Sequence, residues 1–163
     1  MLHQINTRQV LPITKEEAWD FLSSPANLKT ITPDYMGFKI HSGYSKGDKM
    51  YPGMIIEYTV KPILGIPLNW VTEITHVEHP EFFVDEQRFG PYSFWHHKHI
   101  IREVEGGVEM IDQVHYKLPL GPLGRLLNTL MVKRQLKQIF EYRFNKLEEI
   151  YGQPKTSLHQ VAV

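Results

Sequence analysis

The chain has 163 residues, 42% hydrophobic and 22% charged, which suffices for one domain with its own core. Its 18 basic residues balance 18 acidic ones, so it carries no electrostatic footprint for nucleic acid or for an anionic membrane. The absence of cysteine excludes disulfides, thiol catalysis and thiolate-bound zinc.

The opening stretch, MLHQINTRQVLPITKEE, has no apolar h-region, and no apolar run approaches the roughly 18 residues that span a bilayer. A cytoplasmic protein without stable membrane insertion is therefore expected. Residues 2–11 alternate in the manner of a strand. Thr14 followed by Glu17 has the spacing of a capping box, and Ala18, Phe21 and Leu22 continue it as the apolar stripe of a helix. Pro25 ends that helix, and ANLKTI predicts a second short one before Pro33.

From residue 38 to 118 the period becomes two. FKIHSGY, GMIIEYTVK, PLNWVTEITHVE, EFFVDEQRF, SFWHHKHIIREVE and VEMIDQVHYKL read as strands separated by Gly and Pro. The gaps are short, which predicts an antiparallel meander. From about Leu123 to Tyr151 the chain turns helical. Leu126, Leu130, Leu136, Ile139, Phe140, Phe144, Leu147 and Tyr151 form its apolar stripe, with Lys133, Arg134, Lys137, Arg143 and Lys146 mostly outside it. Gly152 and Pro154 stop the helix, and residues 152–163 read as a flexible tail.

The expected architecture is α+β. One domain, residues 1–151, has a seven-stranded curved antiparallel sheet wrapped around a long C-terminal helix, with two short helices between the first two strands. Such a sheet leaves room for a cavity under the helix.

Three histidines, His96, His97 and His99, crowd one strand. With Gly106-Gly107 as a two-residue hairpin loop, Glu105 faces Val108, and the remaining pairs follow. Trp95 then faces Leu118, His97 faces Tyr116, His99 faces Val114 and Ile101 faces Asp112, all on one apolar side of the sheet. His96 falls on the charged, outer side. Asp112 lies diagonal to His99, so a hydrogen bond between them would satisfy both groups, with Asp85 and Gln87 near enough to join from the neighbouring strand.

The stretches FFVDEQRFGPYSFWHHKH, DQVHYKLPLGPLG and IFEYRFNKL resemble the bacterial ligand-binding proteins of the SRPBCC, or START-like, helix-grip superfamily. The matching positions are Phe83, Asp85, Gln87, Gly90, Pro91, Trp95, His97, His99, Asp112, Val114, Tyr116, Leu118 and Pro119. The resemblance covers residues 1 to about 151 and implies a helix-grip fold. Its function is less specific, because the superfamily hosts carriers, polyketide cyclases and sensors.

The functional expectation is a cavity that binds a small hydrophobic or aromatic molecule. His97, His99, Asp112 and Tyr116 are its polar recognition groups, and Trp70 and Trp95 its aromatic walls. Asp85, Gln87, Val114 and Phe140 complete the expected ligand-binding set. The alternative is an enzyme of the cyclase or hydrolase type in which His99, backed by Asp112, moves protons. A metal held by His97 and His99 would need Asp112 or Asp85 as a third ligand. No metal or cofactor is assigned. The apolar loops KPILGIPLN and LPLGPLGRLL read as packing at sheet edges or as a gate, and a homodimer is left open.

Overall fold

The computed structural model describes residues 1–45, 47–63, 65–154 and 159–162. A first strand, β1 (His3–Leu11), leads into α1 (Lys15–Leu22). The capping box forms as expected: Glu17 N–H donates to Thr14 Oγ1 at 3.2 Å, and Thr14 N–H donates to Glu17 Oε2 at 2.8 Å. Such a cap contributes about 1 kcal/mol. The second short helix is a single 3₁₀ turn, Pro25–Leu28, followed by another at Asp34–Met36.

The meander then runs through β2 (Lys39–Ser42), β3 (Ile55–Ile63), β4 (Ile66–Glu78), β5 (Phe82–Phe89), β6 (Phe94–Val104) and β7 (Gly107–Lys117). Beyond it come α2 (Gly121–Leu127), a π-helical turn at Asn128–Val132 and α3 (Lys133–Tyr151). The sheet order is β2-β3-β4-β5-β6-β7-β1-β8, and its strand pairs are antiparallel.

The eighth strand corrects the expected count of seven. Residues 159–162, expected in a flexible tail, form β8 (His159–Ala162) and pair with Asn6–Gln9 of β1. Without it β1 would present an unpaired edge. Four residues carry too little periodicity to be read as a strand. Residues 155–158 and 163 of the expected tail lie outside the described residues, as does Leu64 of the KPILGIPLN loop.

The hairpin register is a second correction. Val104, not Glu105, closes the ladder, and it pairs with Gly107, so the loop is Glu105-Gly106. Gly106 has φ +84° and takes the left-handed turn position. Gly107 serves a different purpose. A Cβ there would sit 2.0 Å from the Leu11 carbonyl oxygen of β1, so it belongs to the strand because a neighbouring backbone crosses it. The pairs shift by two residues, to Trp95–Tyr116, His97–Val114 and His99–Asp112. A shift of two preserves the facing, so His97 and His99 still point inward.

The helical stretch is also not continuous. A π turn inserts one residue, which rotates the preceding segment by about 100° relative to α3. Leu126 and Leu130, expected on the apolar stripe, are exposed as a result. The buried face of α3 is Leu136, Phe140, Arg143, Phe144 and Leu147. Arg143, expected outside the stripe, lies in the middle of it.

Apolar residues form three groups between sheet and helix. One lies under α1 and the C-terminal end of α3, around Leu11, Trp19, Ile56, Ile74, Phe83 and Leu147. A second joins Ile5, Val114 and Tyr116 to Val132, Leu136 and Phe140. A third is Met36, Val60 and Trp70. Each fully buried large apolar side chain contributes about 1.5–3 kcal/mol.

Candidate functional site

The three groups do not close on one another. Between them lies a cavity of about 200 Å³. Its apolar wall includes Ile56, Val60, Ile74, Phe83 and Met36, with Leu136, Ile139 and Phe140 of α3 above. Aromatic rings supply the side towards β3–β6. Trp70 stacks on Tyr58 with ring centroids 5.9 Å apart, and it meets Tyr92 and Trp95 edge-on at 5.5 and 5.2 Å. The Trp70 indole N–H donates to Thr72 Oγ1 at 2.9 Å, and the Tyr58 hydroxyl lies 3.1 Å from the same oxygen. Polar tips are thus consumed within the wall, and its apolar faces remain towards the cavity.

The floor is polar and ordered. In the β5–β6 ladder Asp85 is opposite His97, and in the β6–β7 ladder His99 is opposite Asp112. Since alternate residues share a face, these four side chains form a square on the inner side of three adjacent strands. His97 Nε2 lies 3.0 Å from Asp112 Oδ1, and its Nδ1 lies 3.3 Å from Asp85 Oδ2. His99 Nε2 lies 2.7 Å from Asp85 Oδ2. Its Nδ1 stands 3.1 Å from Asp112 Oδ1 but outside hydrogen-bonding geometry. Each imidazole therefore spans two carboxylates. The two rings lie against each other, centroids 3.7 Å apart, and Phe83 stacks on His99 at 4.1 Å.

Asp112 is anchored from behind. Thr7, directly opposite it on β1, donates its hydroxyl to Oδ2 at 3.0 Å, and Arg143 Nη1 lies 3.1 Å from Oδ1. Burial alone would raise the Asp112 carboxyl. The Arg143 guanidinium, the hydrogen bond from His97 and the adjacent His99 imidazole outweigh it and hold the group well below the usual carboxylate range. Burial also opposes ionisation of Asp85, yet the neighbouring imidazoles bring it down. The histidines are pushed apart. Burial, aided by its neighbour His99, lowers His97. Burial would lower His99 too, but the two carboxylates overcome it and raise the group.

Of the residues expected at a site, Trp70, Asp85, Trp95, His97, His99 and Phe140 line the cavity. Asp112 lies one layer beneath, reaching the cavity through the histidines. Val114 is fully buried in the group under Phe140. Tyr116 turns its hydroxyl away, donating to Asn128 Oδ1 at 2.9 Å. Gln87 takes no part in the floor. It donates to the Tyr92 carbonyl at 2.6 Å and accepts from the Tyr92 N–H at 3.2 Å, and a Cβ on Gly90 would strike its amide. Its work is to fold the Gly90-Pro91 turn so that Tyr92 reaches the cavity.

Thr7, Tyr58, Thr72, Phe83, Tyr92 and Arg143 belong to the site without being among its expected residues. For Arg143 a signal exists: it sits three residues after Phe140 and four before Leu147, a position on the buried stripe. For Thr7 none exists, because the β1–β7 pairing joins segments far apart in the chain.

No protein-family profile and no curated protein sequence matches this chain. Solved structures of similar fold do. TTHA0849 from Thermus thermophilus aligns with TM-score 0.65 and 15% identity over 90% of this chain and 95% of its own. CV1439 from Chromobacterium violaceum gives 0.66 and 11%, over 91% of this chain and 96% of its own. Ara h 8.0201 gives 0.59 and 14%, over 91% and 99%. At these identities the likeness is one of fold: a large antiparallel sheet with a long C-terminal helix, as in helix-grip proteins.

Proposed function

We propose that this chain is a helix-grip protein of the SRPBCC type that binds a small amphipathic molecule, an oxygen-substituted aromatic ring, in the cavity between sheet and α3. The observation that carries this reading is an apolar, aromatic-walled cavity with a single polar floor. The volume supports a ligand of modest size. A cavity of about 150 Å³ engineered into another protein accepts benzene, so about 200 Å³ suits one substituted ring without rearrangement.

The floor supports an oxygen substituent. Asp85 offers a carboxylate oxygen to the cavity, and Arg143 an Nε–H that has no hydrogen-bond partner among the described residues. A hydroxyl or carbonyl placed there meets both donors and acceptors, while the ring faces Trp70, Trp95 and Phe140. The resemblance of FFVDEQRFGPYSFWHHKH to SRPBCC proteins and the shared fold support the same reading.

The test is a fluorescence titration with a naphthol. Saturable one-to-one binding is expected, with loss in Ile139→Trp, whose indole would fill the cavity, and with an unchanged circular dichroism spectrum. Absence of saturable binding, or equal binding by the filled variant, would refute the assignment.

A second reading, proton-transfer catalysis, draws on the oppositely shifted histidines, since paired groups driven apart are how active sites separate acid from base. Turnover of a bound phenol or polyketide that disappears in His97→Gln while binding persists would favour it.

A further inference from the structure

We propose that Asp85, His97 and His99 form a binding site for one divalent transition-metal ion of zinc-like nitrogen and oxygen preference, open on its cavity side. This goes beyond the proposed function and stands independently of it, because it rests on the arrangement of lone pairs and not on the apolar wall.

Three ligand-type atoms converge. Asp85 Oδ2 lies 3.3 Å from His97 Nδ1 and 2.7 Å from His99 Nε2. One ligand atom from each of the three residues fits within a span of 4.8 Å. Around a tetrahedral ion with bonds of about 2.0–2.1 Å, ligand atoms stand about 3.3–3.4 Å apart. The Asp85–His97 edge already has that length. The Asp85–His99 edge has to open by about 0.6 Å to match it, which a small side-chain rotation provides.

The far sides of the imidazoles meet the orienting requirement of a metal site. A metal-bound histidine normally gives its other N–H to a carboxylate, which fixes the tautomer. Here one carboxylate oxygen, Asp112 Oδ1, stands 3.0 Å from His97 Nε2 and 3.1 Å from His99 Nδ1. With the far nitrogens of both rings beside Asp112, His97 Nδ1 and His99 Nε2 both face Asp85, and a cation placed among the three would meet all of them. Asp112 is itself held by Thr7 and Arg143.

Charge and hydrogen bonding point the same way. Arg143 neutralises Asp112. Among the described residues no lysine or arginine pairs with Asp85, whose ionic neighbours are the two imidazoles. His99 is buried and its Nδ1 lacks a well-aligned acceptor among the described residues, so hydrogen bonding does not close the network. A divalent ion between Asp85 and the two rings would engage a nitrogen of each. All three ligands line the cavity, so the fourth position faces it and is free for water or for the oxygen of a bound molecule. The ligand set of two histidines and one carboxylate also suits iron(II).

The experiment uses the full chain, stripped with chelator and dialysed. Zn²⁺ is added, free metal is removed by desalting, and the metal retained per chain is measured. Co²⁺ is followed by its visible absorption. One ion per chain and the intense bands of low-coordinate Co²⁺ are expected. Retention should fall at least about 100-fold in affinity in His99→Ala and Asp85→Ala, and about 10- to 100-fold in Asp112→Asn, which keeps the three ligands but alters the orienting carboxylate, each variant being compared at a temperature where circular dichroism shows it folded. The outward pair His96 and His115, ring centroids 6.2 Å apart, is the competing surface site. A His96→Ala/His115→Ala chain should retain the ion. Failure of the wild-type chain to retain Zn²⁺ or Co²⁺ would overturn the assignment, as would loss of binding in the His96→Ala/His115→Ala chain with retention in folded Asp85→Ala. Naphthol binding by the metal-free chain is unaffected by either result, so the two readings fail separately.

Discussion

Replacing Arg143 by methionine removes the guanidinium that pairs with Asp112 and keeps an unbranched apolar stem in the same slot of α3. Arg143 and Asp112 are 7% and 3% exposed, and their atoms lie 3.1 Å apart. Deleting one member of such a buried pair costs about 3–5 kcal/mol, because it strands the other charge. Asp112 keeps the Thr7 hydroxyl and the adjacent imidazoles, which places the expectation near about 3 kcal/mol. At a chain length of 163 residues, an unfolding entropy of about 2.1 cal/mol/K per residue makes 1 kcal/mol worth roughly 3 °C. The expected fall in Tm is thus about 9 °C by differential scanning calorimetry. Asp112→Asn alone should also destabilise, by leaving Arg143 unpaired, and the double variant should lose less than the sum of the singles. A Tm within about 2 °C of wild type for Arg143→Met, or strictly additive singles, would refute the buried ion pair as an energetic unit.

The remaining expectations concern acid stability, the hairpin and the sheet edge. The folded Asp112 carboxyl is depressed, so its contribution is fully present above the unfolded value of about 3.9 and is lost as pH falls towards the folded value. Chelator-treated wild type should therefore lose stability faster on acidification than Arg143→Met, and parallel pH profiles would contradict this. Gly107→Ala forces a methyl group to 2.0 Å from the Leu11 carbonyl and should lower Tm, whereas an unchanged Tm would disprove the close β1–β7 crossing. Truncation after Pro154 removes β8 and bares the outer edge of β1, and it should promote self-association in size-exclusion chromatography. An unchanged elution profile would show that this edge is protected by other means.

Much of the fold is legible in the sequence because its signals are local. Thr14 and Glu17 announce α1, and the alternation in FFVDEQRF and SFWHHKHII fixes which side chains face inward. What is not legible depends on contacts between distant segments. The Gly106-Gly107 pair looks like a turn, but only one glycine makes it. The other is required by β1, almost one hundred residues earlier in the chain. The inward facing of the histidines is unaffected, because the register differs by an even number.

The same division holds at the candidate site. The approach of His97, His99 and Asp112 follows from one hairpin. The arrival of Asp85 depends on the β5–β6 register across the GPYS turn, and that of Thr7 on β1. Arg143 is hidden by its charge. A cation on an amphipathic helix is ordinarily solvated, and only a carboxylate waiting beneath the helix makes its burial favourable. Gln87 misleads for the opposite reason: its place next to Asp85 suggests the floor, but its amide is spent on the Tyr92 backbone.

The cavity is proposed to hold a small amphipathic molecule against the Asp85–His97–His99 floor. Native mass spectrometry of the gently purified chain, beside Ile139→Trp prepared identically and with both incubated with excess naphthol, tests it most directly. A single organic adduct is expected on the wild-type chain, lost on denaturation and missing from the filled variant. A bare wild-type mass under excess naphthol, or the same adduct on both chains, would contradict it.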